Sequence, residues 1–133
     1  MKIIDGKGAI MGRLASYAAK ELLKGEDIVI LNCEEVIITG SRKSIENDFH
    51  EQRSRVGSSQ KGPKHSKLGF RIVKRVVRGM LPDHRSGRGK IAYKKLKCYN
   101  TVPKEFEGKG KITSAKQSKS KFIRIKDISK WKK

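Results

Sequence analysis

Ile28-Val29-Ile30-Leu31 decides the fold. Four aliphatic residues in a row make a run too short for a helix, and a run apolar at every position suits a strand buried on both faces of a parallel sheet. Upstream, Lys2-Ile3-Ile4-Asp5 reads as a short strand that ends in the turn Gly6-Lys7-Gly8. Between the two, Met11, Leu14, Ala15, Ala18, Ala19, Leu22 and Leu23 follow the helical period, and Gly25 stands where a helix stop belongs. Strand, helix and strand within about thirty residues form a right-handed crossover unit. The class is therefore α/β.

Downstream, Val36-Ile37-Ile38 is a further short strand ended by Thr39-Gly40. Ser41 can cap a helix over 41–54, with Ile45 and Phe49 inside and Arg42, Lys43 and Arg53 outside. Residues 57–69 have no period and many turn formers, the pattern of a mobile loop. A helix over 71–81 carries the apolar stripe Ile72, Val73, Val76, Val77, Met80 and Leu81, and Pro82 stops it. Arg71, Lys74, Arg75 and Arg78 occupy its other face. A basic turn over 83–90 leads into a short helix near 91–95, and Leu96-Lys97-Cys98-Tyr99 reads as the last core strand. From Pro103 the chain is rich in Lys, Gly and Ser. Only Phe122-Ile123-Arg124-Ile125 and Ile128/Trp131 could dock. The expected organisation is a core domain of 1–103, with strands near 2–5, 28–32, 36–38 and 96–99 buried between helices. A basic, semi-ordered extension over 104–133 follows.

The charge is lopsided. Residues 1–40 carry five Lys/Arg against six Asp/Glu, and residues 41–133 carry twenty-eight against seven. A net charge of +20 on 133 residues strains a compact body through self-repulsion unless a polyanion supplies the counter-charge. One nearly neutral structural segment is followed by a long one suited to phosphates.

Other classes of function lack their residues. Cys33 and Cys98 read as buried small hydrophobes rather than a disulfide. No C-x-x-C occurs and the three His lack zinc-finger spacing, so no metal is expected. Gly6, Gly8 and Gly12 are spaced one residue too long for a dinucleotide loop, and Asn32 and Cys33 stand where an acidic ribose ligand belongs. Gly40-Ser41-Arg42-Lys43-Ser44 lacks the first Gly of a P-loop. No acid and base pair into a catalytic constellation. No stretch approaches the roughly 20 apolar residues that span a bilayer, and the start lacks a secretory signal, so a soluble intracellular protein is expected.

Between Lys61 and Lys97 there are thirteen Lys/Arg and one acid, Asp83. Solvated faces usually mix both signs, so this one is suited to an anion. The stripe over 71–81 is purely aliphatic and mid-chain, which favours a core over a membrane surface. Cations spread over loops, a helix and a tail, with no recognition helix or dimer seam, suit irregular folded RNA read through phosphate and shape. Aromatics are 6% of the chain, which argues against a stacking platform for single strands. His65 and His84, set among cations, suit uncharged contact roles. A free-standing basic module of the chromatin or RNA-chaperone kind is the alternative that basic content alone leaves open.

Five stretches carry a more specific signal. They are Ile3-Ile4-Asp5-Gly6-Lys7-Gly8 through Met11-Gly12-Arg13-Leu14-Ala15-Ser16, then Val29 through Gly40, Val77-Arg78-Gly79-Met80-Leu81-Pro82, Arg88-Gly89-Lys90, and Leu96-Lys97-Cys98-Tyr99. In this order, over 1–103, they resemble the large-subunit ribosomal protein family called L-thirteen. Members often have a Gly before the Val-Pro that closes the core, where this chain reads Asn100-Thr101-Val102-Pro103. The loop 57–69 and the tail after Gly108 are similar to archaeal and eukaryotic members. The resemblance implies a three-layer α/β/α fold with a four-stranded parallel sheet. It implies binding to large-subunit rRNA as a structural and assembly component, on cytoplasmic ribosomes beside neighbouring large-subunit proteins. No catalysis, cofactor or small-molecule substrate is implied. It carries RNA contact onto Arg13, Arg42, Lys43, Arg78, Arg85, Arg88 and Lys90. Charge and spacing add Arg53, Arg55, Lys61, Lys64, His65, Lys67, Arg71, Lys74, Arg75 and His84.

Overall fold

Strands β1 (Lys2–Asp5) and β2 (Ile28–Leu31) run parallel, with Ile3 opposite Val29 and Ile4 opposite Ile30. The structure is a computed structural model that describes residues 1–113 and 120–130. Strand β4 (Leu96–Cys98) lies on the far side of β2, so β2 is central and buried at all four positions. The two residues of β5 (Ile112–Thr113) add to the other edge, beside Ile4 and Asp5.

Strand alternation divides the core. Ile4, Ile28, Ile30 and Leu96 pack with α1 (Met11–Leu23), α3 (Gly69–Met80) and α4 (Gly87–Lys94). Ile3, Val29 and Leu31 project to the opposite face, where Phe106, Tyr99 and Val102 cover them. Tyr99 and Phe106 bring their rings to 5.8 Å. That cover is a loop with a single 3-10 turn, Lys104–Phe106, in place of the expected second helical layer.

The strand expected at 36–38 forms at β3 (Ile37–Thr39) but leaves the sheet. Asn32 takes the left-handed conformation (φ 54°), a 3-10 turn follows over Cys33–Glu35, and the Asn32 amide donates to Asp5 Oδ1 at 2.8 Å. The chain is thereby steered past the end of β1, and β3 pairs antiparallel with β6 (Phe122–Arg124) instead. The parallel sheet thus has the order β4-β2-β1-β5, and of the four strands expected only three share it, the fourth member being the two-residue β5. Gly6 makes the crossing possible, because a Cβ there would stand 2.7 Å from the Leu31 carbonyl oxygen and 2.8 Å from Val36 Cγ2.

A second small core joins Ile45 of α2 (Arg42–Ser54) to Ile123 and to Ile128 of α5 (Ile125–Lys130), with Ile38 and Phe49 against it. The C-terminal extension is stapled to the body over these residues: Ile125 is fully buried and its amide donates to the Val36 carbonyl at 3.0 Å. Trp131, also expected to dock, lies outside the described residues. The expected loop 57–69 contains a 3-10 turn at Ser58–Gln60, with Gly62 N–H donating to the Val56 carbonyl at 2.9 Å. Helix α4 begins at Gly87, earlier than its apolar residues suggest. Cys33 and Cys98 are free thiols, and hydrogen bonding with Cys98, then burial, push the Cys33 thiol well above its usual range.

Among the described residues, one charged residue is buried. Glu21, 4% exposed, binds the Lys2 ammonium at the start of β1 and, at 2.7 Å, that of Lys24. Hydrogen bonds from Lys2, then Lys24, lower the Glu21 carboxyl from its ordinary 4.5 to about 2. A depressed carboxyl contributes stability above pH 4.5 that disappears as pH falls towards 2. Glu21→Gln is expected to flatten the acid limb of a stability-versus-pH curve in that window, read by thermal melts; an unchanged limb would contradict the clamp. A second expectation concerns α3. Val73 and Val77 are fully buried, whereas Val76 is half-buried and Met80 is 42% exposed. Val77→Asp should cost on the order of 3–5 kcal/mol in urea denaturation, as an unpaired buried charge does. Val76→Asp should cost less than half as much.

Candidate nucleic-acid interface

Burying Ile72, Val73 and Val77 fixes the rotation of α3 about its axis. The helix therefore carries Arg71, Lys74, Arg75 and Arg78 along the side of a groove of about 580 Å³. Its start is held from outside: Phe70 N–H donates to Asn100 Oδ1 at 2.8 Å, which supplies the cap that Leu68 cannot. Asn100 thus anchors the cationic helix. The groove's other walls come from Phe49 and Gln52 of α2, Lys64-His65-Ser66 of the preceding loop, and Tyr93 of α4.

Among the described residues, no acid lines this groove. Lys64, Arg71, Lys74, Arg75 and Arg78 form no ion pair with the described residues. Two of them meet rings instead: Arg71 lies 5.8 Å from the Phe70 centroid and Lys74 lies 5.2 Å from that of Tyr93. Asp83, the lone acid of this part of the sequence, is consumed by its own turn. It accepts from Ser86 Oγ at 2.6 Å and from Arg85 N–H at 3.0 Å, and these bonds lower its carboxyl below the usual range. The turn packs so tightly against α4 that a Cβ on Gly89 would stand 2.2 Å from the Pro82 carbonyl oxygen.

The groove gathers Lys64, His65, Arg71, Lys74, Arg75 and Arg78 from the expected site residues. Arg13, Lys43, Lys61, Lys67, Arg85, Arg88 and Lys90 are exposed elsewhere on the surface. Arg42 and Arg55 are exposed but pair within α2 or at its end, with Glu46 at 2.8 Å and with Glu51. Such pairs are worth about 0–1 kcal/mol and exchange readily for a phosphate. His84 sits edge-on to Tyr93 at 6.2 Å. Arg53 is not on the outer face as expected. Its guanidinium nitrogens are shielded, find no hydrogen-bond acceptor among the described residues, and lie 5.4 Å from the Phe49 centroid. Burial lowers its pKa. The rings at 49, 70 and 93 were not expected to contribute. They are three of the eight aromatics in the chain, brought together only by tertiary packing.

His65 reports on the local field. Its ring nitrogen Nε2 lies 3.4 Å from Arg75 Nη2. Burial, then Arg75, Arg53 and Arg55, push its pKa below 6.5, which leaves it uncharged at neutral pH. Arg75→Ala is expected to raise it in an NMR titration. A His65 that already titrates above 6.5 in the parent protein would contradict the crowding of charge described here.

The family model described as Ribosomal protein L13 matches residues 1–105. A curated protein of Methanosarcina barkeri, named Large ribosomal subunit protein uL13, is 44% identical over 135 residues, covering 97% of this chain and 95% of its own. Proteins of the same name are 42% identical in Archaeoglobus fulgidus (97% of this chain, 85% of theirs) and 40% identical in Methanocaldococcus jannaschii (98% and 96%). With most of its length under one family model and these archaeal relatives aligned nearly end to end, the chain belongs to the ribosomal protein L13 family.

Proposed function

We infer that this chain is a structural constituent of the large ribosomal subunit that binds large-subunit rRNA and supports assembly of the subunit. The observation that carries this reading is the acid-free cationic face of α3, held rigidly by the core in a chain of this family. Five cations lining one groove repel one another, and a polyphosphate backbone relieves that repulsion while releasing its own counterions. The role is structural: the chain holds RNA in place and does not act as an enzyme. It works on the ribosome, in the cytoplasm, beside neighbouring large-subunit proteins. No helix among the described residues is long and apolar enough to cross a membrane.

The groove residues Lys64, His65, Arg71, Lys74, Arg75 and Arg78 make the central contact. Arg13, Arg42, Lys43, Arg55, Lys61, Lys67, His84, Arg85, Arg88 and Lys90 meet flanking phosphates, while Arg53 adds charge from behind Phe49. The family match ends at residue 105, which supports a division into a core of 1–103 and an extension of 104–133.

Filter binding to large-subunit rRNA across a salt series tests the electrostatic basis. Neutralising about 6–10 phosphates predicts a log–log slope on the order of −4 to −9, and Lys64→Ala should reduce it by about one. Arg78→Glu should weaken binding strongly yet shift unfolding by no more than about 1 kcal/mol. A nearly flat salt response would reject the proposal. Co-sedimentation of the endogenous protein with salt-washed large subunits is expected, and its absence would favour a free-standing basic module.

A further inference from the structure

We propose that the groove between α2, α3 and α4 receives one unpaired nucleotide of the RNA. Its base would lie against Phe70, Tyr93 and the Arg71 guanidinium, and its phosphate among Lys64, Arg75 and Arg78. This rests on the rRNA reading above and narrows it, from a charged face to a receptor for an extruded base.

Three observations carry it. The first is shape: at about 580 Å³ the groove has the size of pockets that enclose small molecules, roughly 300–1,000 Å³. A paired helix would bridge such a concavity and leave it empty, whereas a splayed-out nucleotide fills it. The second is composition. A site for phosphate alone needs no rings, yet three of the chain's eight aromatics line this groove. Single-stranded bases are held by stacking on aromatic rings and guanidinium planes. The third is charge. The cations around the rings have no carboxylate partner among the described residues, and His65 stands among them at 3.4 Å from Arg75. Lys74, now over Tyr93, is the group a stacked base would displace towards the phosphate.

The test uses the full chain and two RNA hairpins of equal length, one fully paired and one carrying a single bulged adenosine, compared by fluorescence anisotropy at fixed salt. The parent protein should prefer the bulged hairpin by about fivefold or more, the lower end for one stacked base. Tyr93→Leu and Phe70→Leu keep an apolar group against the core but remove the ring. Each should abolish most of the preference and leave affinity for the paired hairpin unchanged, with melting curves confirming the fold. Should either fail to fold, Arg71→Gln, at an exposed position, should reduce the preference too. Tight binding of both hairpins without preference, or a preference that survives these substitutions, overturns the proposal and leaves the rRNA reading standing. Failure to bind either hairpin at low salt removes the rRNA reading itself. Adenosine monophosphate provides the last arm: weak binding agrees with a nucleotide presented by a chain, whereas binding tighter than the bulged hairpin would assign the groove to free nucleotides and overturn the proposal.

Discussion

Helix α3 has to satisfy two surroundings at once, and everything distinctive about the molecule follows from how it does so. Ile72, Val73 and Val77 are driven out of water against β4, α1 and the rest of the main core, at about 1.5–3 kcal/mol for each large aliphatic side chain buried. That burial leaves one rotation for the helix, and the rotation leaves one place for Arg71, Lys74, Arg75 and Arg78. A small domain is stable by only several kcal/mol, because hydrophobic burial and chain entropy nearly cancel, so five like charges gathered in one groove are a real burden on the free protein. A bound polyanion turns the same charges into the source of affinity.

The rest of the chain serves that placement. Asn100 caps the start of α3 from the loop beyond β4. Asp83 closes the turn before α4 and is removed from the charge balance of the surface. Glu21 ties the start of β1 to α1, so its carboxylate is committed to the body rather than to the interface. The extension contributes Phe106 to one face of the sheet, Ile125 to the main core, and Ile123 and Ile128 to the small core at α2.

What was legible in the sequence was what short-range periodicity encodes. The crossover unit, the central position of 28–31 and the two-sided character of α3 all stand as read, because their signals are complete within a few turns of chain. Strand β3 was not legible as an outsider to the sheet. Its three residues look like those of any inner strand, and the decision rests on the left-handed Asn32 and on a partner, Ile123, far along the chain. Arg53 defeats the reading of α2 although a signal exists: it follows Phe49 by four positions and Ile45 by eight, which places it on the inner face of the helix. Met80 fits the apolar stripe by spacing, but the helix ends there and Leu81 turns inward in its place. The aromatic groove was invisible for a different reason. Phe49, Phe70 and Tyr93 are dilute along the chain and concentrated only by packing, so overall composition understated them.

The most direct test is an electron cryo-microscopy map of the large subunit purified from the cells that make this protein. The account predicts the chain at full occupancy, with the guanidinium and ammonium groups of Arg71, Lys74, Arg75 and Arg78 within ion-pairing distance of rRNA phosphates. A chain absent from the particle, or present with that face of α3 turned to solvent or to another protein, would contradict it.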